Sequence, residues 1–221
     1  MFTEEIVFAD RHDAGRRLAR AIAERHLDDP IVLALPRGGV PVGYEVAKVL
    51  RAPLGLLLVR KIGAPGHEEY GIGALVDGDD PQIVLNEEAM AIVDPPPGYV
   101  EGEVRRQLAE LERRRAVYLG SRKALAVKGR TVVVVDDGIA TGSTVTVALK
   151  ALRKSGAAKV ILAVPVAPRD TIVALRREAD EVICLSTPEP FRAVGLHYEN
   201  FGQTTDEEVV ALLDATAPLQ P

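Results

Sequence analysis

Several residue patterns that announce familiar chemistry are missing from this 221-residue chain, and each absence removes a class. There is one cysteine, Cys184, so no internal disulfide can form and a reducing compartment is expected. That cysteine sits in an apolar segment, where an inert core thiol is expected, and no G-x-S-x-G turn offers a serine nucleophile. The histidines, His12, His26, His67 and His197, show no metal-ligand spacing. Neither G-x-x-x-x-G-K-[ST] nor a strand-linked G-x-G-x-x-G occurs, which excludes a P-loop and a dinucleotide fingerprint. No apolar run reaches the roughly 18 residues of a membrane span, and MFTEEIVFADRHDAGRRLARA does not read as a signal peptide. A net charge of −5 without a basic stripe argues against nucleic acid as partner. A soluble cytoplasmic protein is expected.

What is present is an alternation. Hydrophobic residues make up 47% of the chain, enough for a sizeable core. A first helix starts at Asp10 or Asp13 and carries Ala14, Leu18 and Ile22. IVLAL (31–35) reads as a buried strand, and Val40-Pro41 opens a helix with Val42, Val46 and Leu50 on one side. PLGLLLV (53–59) reads as a second buried strand closed by Arg60-Lys61, with 62–86 a glycine-rich loop holding one short strand pair. DPPPG (94–98) is a loop, not a domain boundary, and a charged helix follows from Tyr99 to about Leu125. Strands 131–136, 159–164 and 181–185 then alternate with helices 143–155 and 170–179, and a last helix near 205–215 is capped by Thr204 or Thr205. This order predicts a three-layer α/β/α domain over 1–221, core about 30–190, with a mainly parallel central sheet.

VVVVDDGIATGST (132–144) concentrates the chemistry. Asp136 and Asp137 end an apolar strand, where ligands of parallel sheets collect and where charge escapes the interior. The glycines and the hydroxyls of Thr141, Ser143 and Thr144 then lead into a helix whose free N–H groups suit a phosphate. Carboxylates for hydroxyls beside an anion cradle fit a ribose 5-phosphate.

This segment resembles the phosphoribosyl-diphosphate signature of the type I phosphoribosyltransferases, loosely supported from about residue 30 to 190, and the chain is most like their uncharacterised bacterial members. The resemblance implies that Asp136 and Asp137 bind the ribose hydroxyls, directly or through Mg²⁺. It implies that Gly138, Ile139, Ala140, Thr141, Gly142, Ser143 and Thr144 hold the 5-phosphate. LPRGG (35–39) resembles the pyrophosphate loop, with Arg37, Gly38 and Gly39, a loop that often carries a non-proline cis peptide. Arg60 and Lys61 are expected to open onto the same sheet edge and neutralise the departing diphosphate and its magnesium, Lys61 joining the acids as a catalytic group. GAPGHEEYGIGA (63–74) resembles the mobile lid, with Glu69 and Tyr70 as its members of interest; an ordinary exposed loop is the other reading.

The reaction implied is displacement of pyrophosphate from phosphoribosyl diphosphate by a nitrogenous base, in a homodimer. It rests on positioning and electrostatics and needs no protein nucleophile. Family members acting on 6-oxopurines carry an aspartate where this chain has Ala140, which disfavours those bases. Residues 190–221, with the N-terminus, would supply a small hood. Its Phe191, His197, Tyr198 and Phe201 are free either to stack on a heterocycle or to pack the C-terminal segment. The alternative from another class is a non-catalytic sensor of the same ligand. The arginines of 103–123 alternate with acids, however, as on a solvated helix. A hydrolase would want a nucleophile or metal cluster that is missing.

Overall fold

The computed structural model describes residues 7–78, 81–120 and 122–216. Five parallel strands form the central sheet, in the order β2-β1-β6-β7-β8: β1 (Pro30–Ala34), β2 (Leu54–Leu56), β6 (Thr131–Val135), β7 (Lys159–Val166) and β8 (Glu181–Ser186). Side chains of a strand alternate between faces. Val133 and Val135 therefore join a core with α1 (Arg11–Ala23), α2 (Gly39–Leu50) and α7 (Asp206–Thr216). Val132 and Val134 join the opposite core with α5 (Ser143–Lys154) and α6 (Arg169–Leu175). All four valines are fully buried, each worth about 1.5 kcal/mol or more of apolar burial. The uninterrupted run is the consequence of a sheet covered on both faces, and the three-layer α/β/α class is as predicted.

Helix ends follow their capping chemistry. The Asp10 side chain accepts from Asp13 N at 2.7 Å and starts α1, and Thr205 Oγ1 accepts from Glu208 N at 3.2 Å at the start of α7.

The segment 53–93 departs from the sequence reading. Strand β2 lasts three residues, and Val59–Ala64 is β3 of a second sheet with β4 (His67–Val76) and β5 (Gln82–Leu85), antiparallel in the order β3-β4-β5. Arg60 and Lys61 therefore do not close a central strand; they lie inside β3. The expected glycine-rich loop is mostly strand because two of its glycines answer close backbone approach, not hinging. A β-carbon on Gly63 would lie 2.5 Å from the Glu68 carbonyl oxygen, and one on Gly73 would lie 2.9 Å from that of Val84. A helix the sequence reading omitted, α3 (Glu87–Val93), is capped by Asn86, whose side chain accepts from Ala89 N at 3.1 Å. Helix α4 (Tyr99–Leu119) ends earlier than predicted, at Gly120 with φ 56°.

After β8 the chain makes a 3-10 turn, Val194–His197, and returns over the sheet end. There Phe8, Ala14, Val166 and Tyr198 form a small separate core, with Phe191 and Val194 against it. Phe191, Val194 and Tyr198 of the expected hood are thus packed on the domain, and residues 1–6 and 217–221 lie outside the described residues. Among the described residues no helix is long and apolar enough to cross a membrane.

Candidate active site

The carboxyl end of β6 delivers Asp136 and Asp137 to the sheet edge. Asp136 Oδ1 accepts from the backbone N–H of Asp137 at 2.8 Å, which fixes the first carboxylate. The second pairs with a residue from the other end of the chain: Arg11 Nε lies 2.7 Å from Asp137 Oδ2, with the two side chains only 12% and 14% exposed. The same guanidinium donates through Nη1 to the Gly202 carbonyl at 2.6 Å and lies 3.9 Å over the Phe201 ring. The Tyr198 hydroxyl donates to the Asp137 carbonyl. Burial, reinforced by the neighbouring Asp137 charge, pushes Asp136 well above the usual carboxylate range. Burial also raises Asp137, against the opposing pull of Arg11.

The 35–39 turn lies directly on these acids, with a cis peptide between Pro36 and Arg37. A β-carbon at Gly38 would fall 2.0 Å from Asp137 Oδ2, and one at Gly39 would fall 2.8 Å from the Val135 carbonyl oxygen. Both glycines are therefore required by contact between the two loops.

In the 138–144 loop the roles divide. Ile139 is buried and its N–H donates to the Val166 carbonyl at 3.0 Å, so it braces the loop and offers no amide to a phosphate. Gly138 packs under Val194, whose Cγ1 would lie 2.5 Å from any β-carbon there. Ala140, Thr141, Ser143 and Thr144 are exposed, and Gly142, at φ 75°, is the N-cap of α5 with no side-chain cap bond. Thr171 Oγ1 donates to the Ala140 carbonyl at 3.0 Å and ties the turn to α6.

The predicted cations do not converge. Successive residues of β3 face opposite ways. Arg60 Nε donates to Gln107 Oε1 of α4 at 2.9 Å, and Gln107 Nε2 donates to Glu103 Oε1 at 2.7 Å. Lys61 instead faces a cleft of about 800 Å³ between the antiparallel sheet and α5, shared with Ser143, Thr144, Gly73 and Asn86. The Arg37 guanidinium points to α7, where Nη1 lies 3.5 Å from Asp206 Oδ1. Of the lid residues, Tyr70 is 46% exposed beside an open groove with Pro65, His67 and Glu68, and the Glu69 side chain lies outside the described residues. The hood aromatics pack together: Phe191 stacks on His197 at 5.6 Å, and Tyr198 meets Phe8 and Phe201 at 5.4 and 5.0 Å.

Arg11 is absent from the sequence reading, and Tyr198 enters it only as a hood aromatic, not as a partner of Asp137. Their partners in the acidic segment stand 126 and 61 positions away, and the local context of Arg11 reads only as a helix start.

A parallel sheet bearing an acidic pair at a strand end, between two glycine turns that open helices, has its candidate site where open α/β sheets collect ligands. The chain belongs to the phosphoribosyl transferase domain family, whose model matches residues 8–200. It is similar to TT1426 from Thermus thermophilus, a crystal structure that it matches with a TM-score of 0.85 and 44% identity over 96% of this chain and 100% of that one. It is 47% identical over 208 residues, 94% of its length, to a Mycobacterium tuberculosis H37Rv protein named "Putative phosphoribosyl transferase Rv0571c". The same figures hold for "Putative phosphoribosyl transferase MT0597" of strain CDC 1551. The chain spans about half, 46%, of the length of these curated relatives.

Proposed function

We propose that the protein transfers the 5-phosphoribosyl group of phosphoribosyl diphosphate to a nitrogenous base, with Mg²⁺ and with release of pyrophosphate. The observation that carries this reading is the direct seating of Gly38 and Gly39 on Asp136 and Asp137. It sets an anion turn and a hydroxyl-binding pair side by side, as the two ends of the C1–diphosphate bond require.

In this reading the Asp136 and Asp137 carboxylates accept hydrogen bonds from the ribose 2- and 3-hydroxyls. Thr141, Ser143, Thr144 and the first amides of α5 hold the 5-phosphate, and Gly138, Ala140 and Gly142 shape the turn. The backbone of Arg37 and Gly38 receives the diphosphate, while the Gly39 N–H is already given to the Leu35 carbonyl at 3.0 Å and braces the turn. Lys61, from the cleft it shares with Ser143 and Thr144, supplies positive charge as the C1–oxygen bond breaks. No group of three or more His, Cys, Asp or Glu residues is placed for a metal among the described residues. Asp136 and the Asp137 oxygen not taken by Arg11 would hold a magnesium ion, hard oxygen donors being what that ion takes. When bound, the ion would offset the charge of the diphosphate.

The test is pyrophosphate release with Mg²⁺, phosphoribosyl diphosphate and a panel of bases. Turnover on at least one base is expected, with 6-oxopurines the poorest because Ala140 has no proton acceptor. Saturable ligand binding with no turnover on any base would favour a sensor instead. Asp137→Asn is expected to weaken ligand binding about ten-fold while the fold persists; unchanged binding would take the acidic pair out of the site.

A further inference from the structure

The Pro36–Arg37 turn has two sides. Its backbone faces the acids, while the Arg37 side chain enters a separate pocket of about 290 Å³ lined by Pro36, Arg37, Arg113, Arg114, Tyr118 and Asp206. Three guanidinium groups thus share one small space. Arg113 and Arg114 are held in place by Glu110: Arg113 Nε and Nη2 donate to its two carboxylate oxygens at 2.8 and 2.9 Å, and Arg114 Nε donates at 3.0 Å. The Glu110 carboxyl is drawn down to about 2 by these two arginines. Arg113 is therefore held along one edge and Arg114 by Nε alone, and the Nη groups of Arg114 have no partner among the described residues. Asp206 accepts from the Tyr118 hydroxyl at 2.8 Å and stands 3.5 Å from Arg37 Nη1, longer than a direct hydrogen bond of good geometry. Against three arginines there are two carboxylates, so the pocket keeps an unanswered positive charge.

We propose that this pocket binds a phosphoryl or diphosphoryl group, seated on Arg113 and Arg114 and competing with Asp206 for Arg37. Guanidinium groups already oriented by one carboxylate present their remaining N–H donors to a tetrahedral anion at a reduced entropic cost. The binding itself does not depend on the transferase reading.

Magnesium-free inorganic pyrophosphate is the probe. By isothermal titration, Arg113→Gln with Arg114→Gln is expected to weaken its binding about ten-fold or more. Asp206→Asn, which keeps an acceptor for Tyr118 and removes the competing charge, is expected to tighten it several-fold. Pyrophosphate binding that survives saturation with phosphoribosyl diphosphate identifies a free anion as the occupant. Displacement places the pyrophosphate on the turn beside the acidic pair and overturns the proposal. Unchanged affinity in the double variant, or weaker binding in Asp206→Asn, overturns the proposal.

Discussion

The two sheets of this protein treat charge in opposite ways. In β6 of the parallel sheet four residues in succession are buried on alternating faces, so charge is admitted only where the strand stops, at Asp136 and Asp137. In β3 of the antiparallel sheet two charged residues sit mid-strand, Arg60 against α4 and Lys61 facing the cleft beside α5. A strand covered on both sides concentrates neighbouring charges at one place. A partly solvated strand separates them, and adjacency in the sequence then means opposition in space.

The largest effect that would sharpen this contrast is on stability. Val133→Asp buries a carboxylate without a partner and is expected to cost about 4 kcal/mol or more. Ile83→Lys on β5, already 39% exposed, should change stability by no more than about 0.5 kcal/mol. Denaturant unfolding compares them, and equal costs would break the distinction between the sheets. Next comes the pair on β3. Lys61→Gln is expected to lower turnover roughly 10–100-fold, whereas Arg60→Gln should leave turnover nearly unchanged and cost about 1 kcal/mol through the loss of its bond to Gln107. Equal kinetic losses would mean that both cations reach the ligand.

A smaller effect concerns Asp136 in the ligand-free protein. Its carboxyl is raised by burial above the ordinary 3.8, so the unfolded chain releases that proton first and stability falls as pH rises past about 4. Asp136→Asn keeps an oxygen for the Asp137 N–H and removes the penalty. It should raise the unfolding midpoint by about 2–4 °C near pH 7.5, as about 1 kcal/mol does for a chain of this size, and by less at pH 4. A difference that does not grow with pH would show that the penalty is absent. Asp180 has the opposite sign. Its carboxyl is lowered chiefly by the Val160 N–H it accepts from at 2.7 Å, so its stabilisation is complete above about pH 4 and lost in acid. Asp180→Asn should narrow the stability gap between pH 7 and pH 3, by only about 0.5 kcal/mol because the side chain is 37% exposed and screened by solvent.

The central sheet, the helices alternating with it and the acidic pair were legible because their signals are local. Apolar runs, caps narrowed to Asp10 or Asp13 and to Thr204 or Thr205, and the β6-turn-α5 order are each written within a dozen residues, and the structure chooses Asp10 and Thr205. The second sheet was not. Its glycines read as loop because nothing nearby shows that Gly63 and Gly73 are pressed against Glu68 and Val84. The same holds for the aromatic segment, where stacking on a base and packing were equally open until Phe8 and Tyr198 were seen buried together.

By itself, then, the amino-acid order determined which residues must be inside a doubly covered sheet and where its charge must emerge, since burial period and desolvation act residue by residue. Only the tertiary structure decided which partners that charge meets. Arg11 against Asp137, Arg37 turned toward Asp206, and Lys61 parted from Arg60 are contacts set by how distant segments pack. Their energies depend on separations in space that no stretch of chain encodes alone.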